Sequence, residues 1–199
     1  MHATTAPPDG APARPQVQVV PTAGLPFVAL AVVFVIYAIA SDQTWALMFC
    51  HVAGGGLWTS IDLFVGLVMG PIIGRLSPPA RAEFSARFMP RMVIIMPTVV
   101  MMTLASGLQI AFKYGNLTSG RPQHGWLVAS FIVVGVMAVI ALGLLEPANI
   151  TVLMEMRKPE PNHHTIELMM KRFVYTAGIT GIMQVATNRK STRLNSSHV

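Results

Sequence analysis

Between residues 25 and 187 the chain alternates long apolar runs with short links that carry most of its charge. Residues 25–40 form an unbroken apolar run of 16 residues, and the link "SDQT" leads to a second run over 45–73. Residues 92–112 and 125–145 are each 21 residues long and hold no charge. A helix of about 20 apolar residues crosses the hydrocarbon core of a bilayer, so these two runs predict membrane spans. The second run would make a helix ~44 Å long at ~1.5 Å per residue, so it must tilt or project beyond the core. The fourth run is expected to continue past Pro147 as a kinked extension to about Met156. A fifth begins near Phe173. The pattern predicts an all-α integral membrane helical bundle of five transmembrane helices over 23–187, the last one cut short.

The flanks read differently. Residues 1–22 are rich in Pro, Ala and Thr without apolar periodicity, which predicts a disordered tail. They lack the basic start of a signal peptide. The link "SPPARAEFSARF" (77–88) predicts a short helix on the membrane surface. Ser77 can cap it, Pro78 suits its first position, and Phe84 and Phe88 share a face. A plain connecting helix is the other reading.

Composition supports the membrane assignment: 53% of residues are hydrophobic and 11% charged, against about 25% charged in a soluble domain. The single cysteine excludes a disulfide framework and a Cys-rich metal site. Residues 189–198 (RKSTRLNSSH) match a translated sequencing-adapter read, so 188–199 are expected to be an assembly artefact. Removing Arg189, Lys190 and Arg193 takes the formal charge from +6 to +3, and the high pI then gives no reason to expect a nucleic-acid partner.

Charge also orients the bundle. Arg75, Arg81, Arg87 and Arg91 fall in one link, and Arg157, Lys158, Lys171 and Arg172 in another. The opposite side holds Lys113 and Arg121. The basic side is expected to be cytoplasmic, which puts the N-terminus there too, in a multi-pass protein of a bacterial inner membrane.

Candidate chemistry lies in "FCHVAGGGLWTSID", residues 49–62. On a helix His51, Gly55, Trp58 and Asp62 form one stripe. Ionisable groups cost ~2.5–3.5 kcal/mol in a membrane and point to function by default, so the stripe is expected to face the interior. Gly54, Gly55 and Gly56 let a backbone or a flat cofactor approach closely. Gly66 and Gly70 form a GxxxG step suited to helix contact. His51 reads either as a ligand to haem iron or as a histidine hydrogen-bonded across a helix pair. His124, at the start of the fourth run, could ligate the same haem b from the other face, share a copper ion, or simply hydrate at the interface. His163 and His164 read as solvated loop residues. Asp62 could pair with Arg91, accept from Thr59 or Ser60, or lock helices together, and Arg91 could instead meet a haem propionate. Pro97 predicts a bend near Thr98, Thr103, Ser106 and Gly107. Fourteen methionines, with Met48, Cys50 and His51, raise soft copper ligation; methionine as a filler of irregular apolar space is the plainer alternative.

The segment 45–187 resembles small bacterial membrane proteins of the HemJ type, the haem-b-binding protoporphyrinogen oxidases, and the copper-resistance D membrane domains. The likeness is carried by "HVAGGGLW", an Arg-containing link, "RMVIIMPTVVMMTLASGL" and "QHGWL". It implies a four-helix core and a haem-binding histidine at His51. The lysine that HemJ-like proteins carry near the start of the "QHGWL" helix is replaced by Trp126. The expected function is a haem-b-binding membrane protein with a redox role, of unknown catalytic residues. Its partner would be a hydrophobic molecule such as a porphyrinogen or quinone, and a homo-oligomer is one arrangement open to it. The competing reading is a copper-handling or structural module. The chain has no nucleotide-binding glycine loop and no hydrolytic triad.

Overall fold

A computed structural model describes residues 20–115, 118, 124–158 and 160–195, with the side chains of Trp126, His163 and residues 186–195 outside the description. The expectations for 1–19 and Arg121, and for the side chains of Trp126, His163 and 188–199, therefore fall outside it. Every regular element described is helical. A 3-10 turn, Thr22–Gly24, leads into α1 (Leu25–Ser41), followed by α2 (Thr44–Leu63), a π segment (Phe64–Met69) and α3 (Gly70–Arg75). Then come α4 (Pro78–Lys113), α5 (His124–Ile140), a second π segment (Ala141–Leu145), α6 (Glu146–Met156) and α7 (His163–Asn195).

These make five rods. Thr44–Arg75 runs without a break, as does α5 through α6. Among the described residues, four rods have a stretch long and apolar enough to cross a membrane. Each π segment lies just before a proline near the start of the next helix, Pro71 or Pro147. A proline ring clashes with the carbonyl four residues earlier and offers it no N–H, and a wider turn relieves that crowding. Pro90 and Pro97 lie inside α4. Around Pro97, Thr98 donates to Ile94 O, Thr103 to Val99 O and Ser106 to Met102 O.

Two expectations are corrected. Residues 77–88 do not form a separate surface helix; Ser77 is the N-cap and the rest are the first turns of α4. They stay helical because Ser85 and Met89 are buried against other helices: Ser85 Oγ lies 2.9 Å from Met170 Sδ, and Asn149 Nδ2 donates to Met89 O at 3.3 Å. The fifth helix starts at His163 rather than near Phe173. Asn162 Oδ1 accepts from the backbone N–H of His164 and Thr165, at 3.0 and 3.2 Å, and so caps it. His163 and His164 are thus helix-start residues.

One core joins Trp58, Met92, Met96, Val100, Met137, Leu153 and Phe173. α2 packs on α4, and α7 on α2 and α6, whereas α1 lies on the flank against α4 and α2. The outer face is strongly apolar: Phe27 is 76% exposed and Val139 71%. Such a surface suits lipid rather than water.

Candidate functional site

The α2–α4 contact is built from two notches. A Cβ at Gly54 would lie 2.7 Å from Thr103 Oγ1 and 3.3 Å from Thr103 N. A Cβ at Gly107 would lie 2.7 Å from both Cε1 and Nδ1 of His51. Thr103 of α4 therefore fills the space left at Gly54 of α2, and the His51 ring of α2 fills the space left at Gly107 of α4.

That fit aims the imidazole. His51 Nδ1 lies 3.0 Å from Thr103 O. A carbonyl oxygen only accepts, so Nδ1 carries the proton and, in the neutral ring, Nε2 keeps its lone pair. Nε2 has no hydrogen-bond partner among the described residues. A backbone carbonyl holding one ring nitrogen is the usual outer partner of a metal-bound histidine.

His51 lines a cleft of about 480 Å3, with Gly55, Gly56, Trp58, Met137 and Gln184 among its walls. The volume falls within the ~300–1,000 Å3 range of small-molecule sites. The cleft exists because α5 packs on α7 while making little contact with α2 or α4. Gly56 faces open space, and Gly55 stands at ordinary contact distance from Thr103. Among the described residues, the oxygen and the nitrogen of the Gln184 amide are buried without a partner, whereas the Trp58 indole N–H is directed at the Asp62 carboxyl. Trp58 is 2% exposed and Gln184 6%. An unpaired buried polar group costs about 1–3 kcal/mol, so a ligand that met the Gln184 amide would recover that cost.

The expected stripe is only partly internal. Trp58 and Asp62 are buried, but the His51 side chain is exposed in the cleft, at the side of the bundle. Of the other expected site residues, Gly54 serves the α2–α4 contact. His124 stands one turn before Leu127, the first α5 residue of the cleft wall, and is not part of that wall; its Nδ1 is buried without a partner among the described residues. Arg91 is exposed and donates to Arg87 O, so it pairs neither with Asp62 nor with the cleft. Thr59 donates to Gly55 O at 2.9 Å rather than to Asp62, whose carboxyl instead meets the Trp58 indole N–H.

The copper set is not assembled either. Cys50 is buried in a separate cluster with Ala38, Ala46 and Leu47, and Met48 is exposed. Met89, Met92 and Met96 fill the main core. No group of three or more His, Cys, Asp or Glu side chains able to hold a metal ion occurs among the described residues. Sequence reasoning missed Met137 and Gln184, whose place in the cleft depends on how α5 and α7 cross the α2–α4 pair. Comparison of the chain with protein-family models, curated proteins and solved structures finds no match.

Proposed function

We propose that this is a five-span protein of a bacterial inner membrane, with its N-terminus in the cytoplasm, that holds haem b in the cleft beside His51. The observation that carries the reading is the His51–Thr103 bond, which leaves Nε2 as a free lone pair in an apolar slot. The residues fit the group in three respects. Nε2 is the atom that would ligate iron. Gly55 and Gly56 leave a wall without side chains against which a flat macrocycle could lie. The cleft is apolar over most of its lining, as haem requires.

Bound there, the group would supply one-electron chemistry. The chain's own part is to orient and to exclude. Thr103 O fixes the tautomer and plane of His51, while Gly107 admits the ring. The Gln184 amide would meet a polar edge of the ligand, and the Trp58 ring would line its face. An opening at the side of the bundle suits exchange with a hydrophobic partner in the bilayer, such as a porphyrinogen or quinone. His124 and Arg91 lie outside the cleft wall, so the reading uses a single histidine.

A second reading rests on the same bond. His51 donating across the α2–α4 pair would by itself lock two helices, in a protein with no cofactor. The visible spectrum of the purified protein separates the two. A Soret band that is lost in His51→Ala and kept in His124→Ala supports haem at this site. A colourless protein, with haem supplied during expression, overturns it and leaves the structural reading.

A further inference from the structure

A second groove, of about 580 Å3, lies between the Gly66–Gly74 stretch and α7, toward the basic end of the bundle. We propose that it binds an anionic phospholipid, headgroup against Arg81 and Lys171 and acyl chain along α7. The proposal rests on the membrane-spanning reading and is independent of haem.

The headgroup end is cationic and incompletely satisfied. The Arg81 side chain is only 18% exposed. Its Nη2 donates weakly to Leu76 O and Gly74 O, at 3.3 and 3.4 Å. Its Nη1 lies 3.8 Å from Glu167 Oε1, beyond hydrogen-bond reach, and its Nε is buried with no partner among the described residues. Lys171 Nζ reaches the same carboxylate at 2.8 Å. Two cations thus share one carboxylate, and the exposed Arg75 follows Gly74 directly. A phosphate offers the fork of acceptors that a guanidinium matches.

The rest of the groove has the form of a chain. Tyr175, Ile179 and Ile182 line it and are 71%, 58% and 56% exposed. Gly74 opens it, because a Cβ there would meet nothing within 4 Å. Lys171 and Ile182 are 11 residues apart, or ~16 Å along a helix. That is about half of the ~30 Å hydrocarbon core, the depth of one leaflet. Arg157, Lys158 and Arg172 lie at the same end, which the positive-inside rule assigns to the cytoplasm. That leaflet is where anionic lipids meet basic residues. Charge at one end and leaflet length below it single out a phospholipid over a second copy of the chain.

The test measures the thermal midpoint of the purified protein in nanodiscs of pure phosphatidylcholine or with added phosphatidylglycerol, and the lipid retained after delipidation. Phosphatidylglycerol is expected to raise the midpoint and to be retained selectively. Arg81→Gln and Lys171→Gln should each weaken retention roughly fivefold, the effect of one basic residue near an anionic surface. Arg91→Gln, exposed and outside the groove, should leave it unchanged. Glu167→Gln removes the competing carboxylate and should tighten retention, an outcome that a purely structural ion network would not give. Equal midpoints in the two lipids, undiminished retention in the Arg81→Gln/Lys171→Gln double variant, or a rise reproduced by inorganic phosphate would each overturn the proposal.

Discussion

Gly66 and Gly178 meet backbone to backbone where the first π segment crosses α7. A Cβ at Gly66 would lie 2.3 Å from Gly178 Cα and 2.6 Å from Gly178 N. Without a hydrophobic drive between helices in lipid, close backbone approach is what packing has to offer. Because the obstacle is backbone, it cannot step aside. Gly66→Ala should cost about 1–3 kcal/mol, as overpacking does, and lower the thermal midpoint in detergent. Gly135→Ala, where a Cβ meets nothing within 4 Å, is the matched control. It should be neutral, or stabilise by up to about 1 kcal/mol through helix propensity. Equal behaviour of the two variants would refute the close crossing.

The His51 ring occupies the space of a missing side chain at Gly107, so Gly107→Ala tests the site without touching the ligand atom. The added methyl would sit 2.7 Å from Cε1 and Nδ1, and the ring must turn off Thr103 O. Losing such an orienting partner typically costs 10–100-fold in affinity. Haem retention in titrations should fall by that order and the Soret maximum should move, with helical circular dichroism preserved. Unchanged retention would mean that the Thr103 contact does not aim the ligand.

Much of the architecture follows from local pattern. The apolar runs gave five rods because length and absence of charge are properties of the chain itself. The Gly66/Gly70 step marked a helix contact for the same reason, though not its partner, which is α7. The start of α7 was not legible, because the polar "PEPNHHT" hides the Asn162 cap and strong helix formers follow only from Ile166 onward. Nor was the continuity of α4. Ser77, Pro78 and the shared face of Phe84 and Phe88 suggest a separate surface helix, and only Ser85 and Met89, buried against partners far along the chain, show why the rod persists. The candidate site divides in the same way. His51, Gly55, Gly56 and Trp58 stand on one helix and could be read together. Met137 of α5 and Gln184 of α7 come from how those helices pack, a tertiary feature with no local signal.

Asp42 ties the α1–α2 link to the end of α4. It adopts a left-handed conformation with φ of 50° at the C-cap of α1, and Lys113 Nζ contacts Oδ2 at 2.9 Å and donates to the Asp42 carbonyl. The hydrogen bond from Lys113 holds the Asp42 carboxyl below its ordinary value, with Gln109 assisting. A carboxylate whose folded pKa is depressed stabilises the fold above its unfolded value, about 3.9, and loses that contribution as pH falls through the folded value. Lys113→Gln should therefore lower the thermal midpoint modestly at pH 7, as for an exposed pair. The gap from the parent protein should close below about pH 4. A gap that does not depend on pH would show that the lysine acts through its aliphatic stem.

Orientation is open to direct test because Cys50, the only cysteine, is fully buried and gives little background to a thiol reagent. Gln43 and Ser77 are exposed at opposite ends of the Thr44–Arg75 rod. The basic residues cluster at the Ser77 end, and translocating them is disfavoured. In intact cells, Gln43→Cys should react with a membrane-impermeant maleimide, and Ser77→Cys should react only after lysis. The reverse pattern would invert the bundle and put Arg81 and Lys171 in the outer leaflet. The lipid groove would then no longer face the anionic cytoplasmic leaflet, while the geometry around His51, which depends only on how α2 meets α4, would be untouched.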